Sequence, residues 1–206
     1  MSCDEGILYP FPNCVDHLRR AVMEVGCDTE LVVADYGSTD WPLTGWLGER
    51  AAPVPVRVLD MPGAFSTGGG KNAAALAAQA PVLFVLDGEM EVPGDVLGRG
   101  LEMTAQGKAY FPIYRREHGP GQGTYWGSGH GSSIVLKAQW EQNKFAEGLA
   151  WGDVDEDTRF AHWFTEHGLL VREPQPLFIH RWHPLWEPEN WRDPEIVLPG
   201  EGFNAG

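Results

Sequence analysis

Along this chain, apolar residues gather in short runs that stop at an acid or a glycine, with stretches of helical spacing between them. That rhythm predicts alternating strands and helices. Residues 7–11 form an apolar run punctuated by Pro10 and Pro12 and read as a first strand; residues 15–25 carry apolar side chains at helical spacing, with Asp16 placed to cap. Residues 30–35 show the Leu-Val-Val-Ala pattern of a buried strand, which stops at Asp35 ahead of Tyr-Gly-Ser-Thr-Asp. A third strand is expected over 54–59. A loop of small residues over 63–70 then leads into an alanine-rich helix over 71–79, and the most strand-like run, 81–86, ends at Asp87. Such an alternation over short connections predicts a mostly parallel sheet covered on both faces, and ligands of these sheets bind beyond the carboxyl ends of the strands. Asp35 and Asp87 both fall at such ends, although an acid there is also a common turn former or helix cap.

The second half is less regular. A helix is expected over 96–105 and a strand over 109–114, followed by a polar, Gly-rich segment over 115–131 that is too long for a simple connection. That segment is either a lid or a disordered insert. A strand follows over 132–136, then a helix over 156–167 with Phe160 and Phe164 on its apolar face and Gly168 as its stop. Short strands over 169–171 and 177–179 precede a Pro- and Trp-rich tail from Trp182, and no internal repeat is visible.

Composition narrows the classes. A length of 206 residues suits one domain with a closed core, and 26 Gly with 16 Pro imply many tight turns. The net charge of -14 is spread along the chain, which disfavours nucleic-acid binding but leaves room for a cation wherever carboxylates converge. Three cysteines, Cys3, Cys14 and Cys27, lack zinc-like spacing and read as reduced thiols of a cytoplasmic protein. The N-terminal Met-Ser-Cys-Asp-Glu-Gly lacks the regions of a signal peptide, and the longest apolar run, 81–86, is too short to span a bilayer. Most of the nine Trp read as core filling, with sugar stacking the alternative.

Three segments carry candidate chemistry. Asp87-Gly88-Glu89 places two carboxylates one residue apart at a strand end, a fit for oxygen-seeking Mn²⁺ or Mg²⁺; the plain alternative is a solvated acidic turn continuing through Glu91. His180 directly ends the run over 177–179 and is a candidate to complete that metal site, with His183 nearby either packing or touching a diphosphate. Asp153, Asp155, Glu156 and Asp157 crowd the start of a helix, where mutual repulsion raises a carboxyl pKa and suits a general base; plain helix capping is the competing explanation.

In this order, Asp35-Tyr-Gly-Ser-Thr-Asp40, Lys71-Asn72 opening an Ala-rich helix, Leu86-Asp87-Gly88-Glu89, Trp151-Gly152 with Glu156-Asp157, and His180 resemble family-two-like GT-A glycosyltransferases. The second half looks like the galactosyltransferase-type C-terminal module. The resemblance covers about residues 5–184. It implies an α/β, GT-A type fold with a Rossmann-like, mostly parallel central sheet, helices on both faces and a smaller acceptor-side portion. Residues 1–184 would be a single domain, with a nucleotide-binding half over 1–95 and an acceptor and catalytic half over 96–184, and 185–206 would be a tail. The donor would be a nucleotide diphosphate sugar, UDP-linked by preference, and the acceptor is not specified. Asp35 would contact the nucleobase, Pro10 would lie in the first strand's nucleotide-facing loop, and Lys71 would sit near the diphosphate. Asp87 and Glu89 match the Asp-x-Asp metal motif and His180 the late metal ligand for Mn²⁺ or Mg²⁺. Glu156 and Asp157 match the Glu-Asp pair that holds the acceptor and supplies the base of an inverting transfer. The chain departs from the pattern in Glu89, in a first strand without a run of valines and isoleucines, and in the extra Val154 and Asp155, which leave Asp155 a substitute base. Residues 115–131, with Tyr125 and Trp126, would close over the donor, and retention of configuration stays open. The rival readings are a nucleotidyltransferase or pyrophosphorylase and a non-catalytic nucleotide-sugar- or carbohydrate-binding module.

Overall fold

The computed structural model describes residues 10–39, 42–117, 124–127, 129–148, 156–173 and 178–181. Helix α1, Pro10–Val25, opens the described chain. It buries Cys14, Val15, Leu18, Ala21 and Val22, one stripe at helical spacing, and stops at Gly26, whose φ of 70° closes the last turn onto Val22. Pro10 and Phe11 are therefore helical, not part of a strand; a proline fits the first turn of a helix, whose N–H groups have no partner to lose.

Parallel strands β1, Leu31–Asp35, and β2, Val56–Asp60, run in register from Leu31 opposite Val56 to Asp35 opposite Asp60. A 3-10 turn, Leu43–Gly45, and helix α2, Leu47–Ala51, join them and bury Leu43, Leu47 and Ala51 against Val15. Helix α3, Thr67–Ala77, starts four residues earlier than the alanine pattern predicts, capped by Ser66, whose hydroxyl accepts from Gly69 N at 3.1 Å. The glycines disfavour a helix by about 1 kcal/mol each. Close packing explains them: a Cβ on Gly68 would stand 2.0 Å from the Ala146 carbonyl oxygen.

Strand β3, Val82–Val85, is followed by the short β4, Met90–Glu91, helix α4, Gly94–Ala105, and β5, Ala109–Tyr110. The strand expected over 109–114 is two strands, since Pro112 offers no N–H and ends the ladder after Phe111 N bonds Val171 O; β6, Tyr114–Glu117, then joins another sheet. The segment expected to be a lid or a disordered insert holds an antiparallel hairpin of β6 with β7, Thr124–Gly127; residues 118–123 and 128, and the side chains of Tyr125 and Trp126, lie outside what is described. Strand β8, Ser133–Leu136, helix α5, Lys137–Gln142, helix α6, Glu156–Glu166, and strands β9, Leu170–Val171, and β10, Phe178–His180, complete the elements of the described residues.

Two further sheets have the orders β4-β10-β6-β7 and β3-β8-β5-β9. Pairings β10 with β6 and β5 with β9 are parallel, as β1 with β2; the β4–β10, β6–β7, β3–β8 and β5–β8 pairings are antiparallel. Period-two alternation sends Tyr110 and Ile134 into a core with Leu18, Val22, Val96 and Met103, and Phe111 and Val135 into another with Trp140, Phe160 and Phe164. The β5 and β8 strands are thus covered on both faces, by α1 and α4 on one and α5 and α6 on the other. The molecule is an α/β protein with parallel strands and packed helices. Among the described residues no helix is long and apolar enough to cross a membrane.

Candidate active site

The β3–β8 register places Val85 opposite Ser133, so the next residues, Leu86-Asp87 and Ser132, meet beyond the strand ends. Asp87 N donates to Ser132 Oγ at 3.1 Å, and that hydroxyl lies 3.3 Å from Asp87 Oδ2. The same hydroxyl thus holds both the backbone and the carboxylate of Asp87. The turn closes with Met90 N donating to Asp87 O at 3.3 Å, while the buried Cys14 thiol approaches that carbonyl from below at 3.6 Å. Burial, with Glu89 and Asp87 nearby, pushes the Cys14 thiol far up, so it sits there neutral.

Helix α6 fixes the opposite wall. Phe160, Ala161 and Phe164 anchor it in the core, with the Phe160 ring stacked 4.0 Å from Phe145, and its first turn presents Glu156 and Asp157. Between the walls stands Lys71 of α3, its side chain only 10% exposed. Lys71 Nζ lies 2.5 Å from Asp157 Oδ1, 3.4 Å from Asp87 Oδ1 and 3.6 Å from Glu156 Oε1, and also donates to the Gly131 carbonyl at 3.4 Å. Burial alone would lower the lysine's pKa, but Asp87, Asp157 and Glu156 outweigh it and hold the ammonium charged well above the usual range. Asp157 is pushed up to about 6, by burial first and by Asp87 and Glu156, against the pull of Lys71. At neutral pH the pair is ionic.

Glu89 and His180 meet separately. Strand β10 pairs His180 with Met90, and Arg181 N donates to Glu89 O at 2.9 Å, which brings His180 Nε2 to 3.3 Å from Glu89 Oε1. The buried imidazole stacks on Tyr114 at 5.9 Å. Arg181 binds Glu91 and Glu117 and so ties β4 to β6 across β10.

The predicted residues therefore do not all come together. Lys71, Asp87, Glu156 and Asp157 form one cluster, and Glu89 with His180 form a contact at the far end of the same turn. Asp35 is held in its own turn, its Oδ1 accepting from Ser38 N at 2.9 Å and Ser38 Oγ at 2.7 Å. Pro10 opens α1. Asp155 and His183 lie outside the described residues. The triad Asp87, Glu89 and His180 does not converge: the Asp87 carboxylate faces Lys71 and Ser132, and among the described residues no three His, Cys, Asp or Glu side chains gather in a metal-holding arrangement. Sequence reasoning missed Gly131 and Ser132, the shelf beneath the acids, whose signal is a small-residue pair directly before a strand antiparallel to β3.

The α/β scaffold that holds these acids around a buried lysine has the fold of solved TarS structures. TarS of S. aureus, residues 1–349, superposes with a TM-score of 0.64 at 13% identity over 84% of this chain and 58% of that one. The same protein in complex with UDP-GlcNAc gives 0.61 at 14% identity over 91% and 58%, and the longer TarS structure 0.62 at 14% over 87% and 35%. This chain thus spans less than two thirds of the TarS structures it matches. No protein-family model and no curated protein sequence matches it.

Proposed function

We propose that this chain transfers a sugar from a nucleotide diphosphate sugar, UDP-linked by preference, to an acceptor hydroxyl, with inversion and with Asp157 as the base. One observation carries the reading: Lys71, which the resemblance sets near the diphosphate, Asp87 of the metal motif, and Glu156 and Asp157 of the pair that holds the acceptor and supplies the base meet in one cluster at the carboxyl end of β3. The TarS structures with UDP and with UDP-GlcNAc support the donor class.

The chemistry follows from the cluster. Departure of a nucleoside diphosphate builds negative charge on phosphate oxygens, and the Lys71 ammonium, permanently charged and largely shielded from water, offsets it more strongly than an exposed lysine would. Asp157 is ionised at neutral pH and more basic than an ordinary aspartate, so it is suited to take the acceptor's proton as the oxygen attacks the anomeric carbon. Ser132 keeps the Asp87 carboxylate from turning away. Asp87, Glu89 and His180 remain our proposed place for Mn²⁺ or Mg²⁺, supported by the 3.3 Å contact between Glu89 and His180. Their present arrangement does not fit a three-ligand site, and no step above runs through the ion.

The test is release of UDP from UDP-GlcNAc by the full chain, with and without Mn²⁺, compared with Asp157→Asn. The substitution is expected to lower turnover by about 10² to 10⁴ with UDP binding retained. A variant as active as the parent removes Asp157 from the role, and a parent that neither binds UDP nor releases it ends the transferase reading.

A further inference from the structure

The geometry points to Lys71 as a donor-sensitive clasp: it holds Asp157 while the site is empty and gives it up when a diphosphate draws the ammonium away. This inference rests on the transferase reading. Lys71 is the single cation that spans the two walls in the described site, reaching Asp87 on the β3 turn and Glu156 and Asp157 on α6. Its shortest contact, 2.5 Å, is to the residue proposed as base. While that contact lasts, one Asp157 oxygen is occupied by the ammonium and is closed to an acceptor's proton.

The arrangement is built to be exchanged. One positive charge faces three carboxylates, and Nζ also lies 5.2 Å from the centroid of the Phe145 ring, so the ammonium is shared among several partners and is bound exclusively to none. Lysine suits such an exchange because its ammonium is a compact charge on a flexible four-carbon stem, able to swap one oxygen partner for another. A diphosphate entering beside Asp87 brings oxygens that compete directly for Nζ. Asp157 then loses its counter-ion, and a carboxylate so released attracts a proton more strongly. That oxygen of the base is thereby freed when the donor is in place, and held when it is not.

Carbodiimide coupling reads this directly, because it joins an amine and a carboxylate only when they touch. In the ligand-free full chain, coupling followed by peptide mass spectrometry is expected to yield a Lys71–Asp157 isopeptide link. Saturating UDP, with occupancy measured in parallel by calorimetry, is expected to reduce that link about fivefold or more as the population shifts. Lys71→Arg, which keeps the charge and cannot couple, identifies the peptide. A purely structural ion pair would be insensitive to UDP, so an unchanged yield with UDP bound overturns the clasp, as does absence of the link in the ligand-free protein. Failure of UDP to bind at all is read by calorimetry alone, and it overturns the transferase reading together with the clasp that depends on it.

Discussion

A Cβ placed on Gly131 would stand 2.0 Å from Asp87 Oδ2 and 3.3 Å from Asp157 Oδ2, so this glycine lets two acids from different elements approach one point. Gly131→Ala is expected to push the Asp87 carboxylate off Ser132 and to lower donor turnover about tenfold or more, because a displacement of an ångström costs a catalytic site heavily. Melting should fall only modestly, since the clash is with a side chain at the edge of the core; turnover equal to the parent's would show that the shelf does not position Asp87. Asp157 sets a second residue-scale expectation. Its pKa of about 6 in the ligand-free site means that the base is lost as pH falls through that value, so kcat/KM for UDP release should drop on the acid side with a midpoint near 6. The limb should be absent from the residual activity of Asp157→Asn, and a midpoint near 4 would mean that burial does not govern this carboxyl. Asp87, Glu89, Glu156, Asp157 and His180 drew notice in the sequence because each stands at or beside a strand or helix terminus that the hydrophobic pattern announces, whereas Lys71, inside α3, drew notice through the resemblance. Their partners were not legible there. Lys71 grips acids 16 to 86 residues away along the chain, and which acid faces which cation depends on strand register, which periodicity does not encode.

At the scale of elements, Asn72 explains why helix α3 sits where it does. Its buried amide donates to the Phe145 carbonyl at 2.9 Å and to Glu147 Oε1 at 2.7 Å, and its carbonyl accepts from Trp140 Nε1 at 3.2 Å and Phe145 N at 3.0 Å. One side chain thus ties α3 to α5 and to the segment after it. Asn72→Leu would strand the Trp140 indole and both Phe145 backbone groups, and is expected to lower unfolding free energy by about 3 kcal/mol in urea titrations. A loss below about 1 kcal/mol would show that water or a rearranged loop replaces the amide. Elements with a long single period were readable: β1, β2, β3, α4, β8 and α6 all lie where the pattern puts them. The failures were of two kinds. Helix α3 extends back through Gly68–Gly70 because tertiary packing overrides their poor propensity, and β6–β7 emerges from a polar stretch because β10 supplies a partner strand from 64 residues further on. Neither cause is local.

Across the whole molecule, 29 acids against 15 basic residues give a net charge of -14, and a nucleoside diphosphate is itself an anion. Two forces then act at different ranges. The summed field repels the ligand over tens of ångströms in dilute buffer, where the screening length is roughly 30 Å at about 0.01 M salt, and fades when it shrinks to roughly 8 Å at about 0.15 M. The attraction to Lys71 works over a contact distance at a group only 10% exposed, so salt scarcely weakens it. Raising sodium chloride between those concentrations should therefore speed UDP association by about threefold or more, the reverse of the slowing seen where a positive field steers an anion inward. Stopped-flow measurement of the association rate decides it. A rate that falls with salt would mean that the site mouth carries a positive local field despite the acidic whole, and that Lys71 is felt beyond its contact distance.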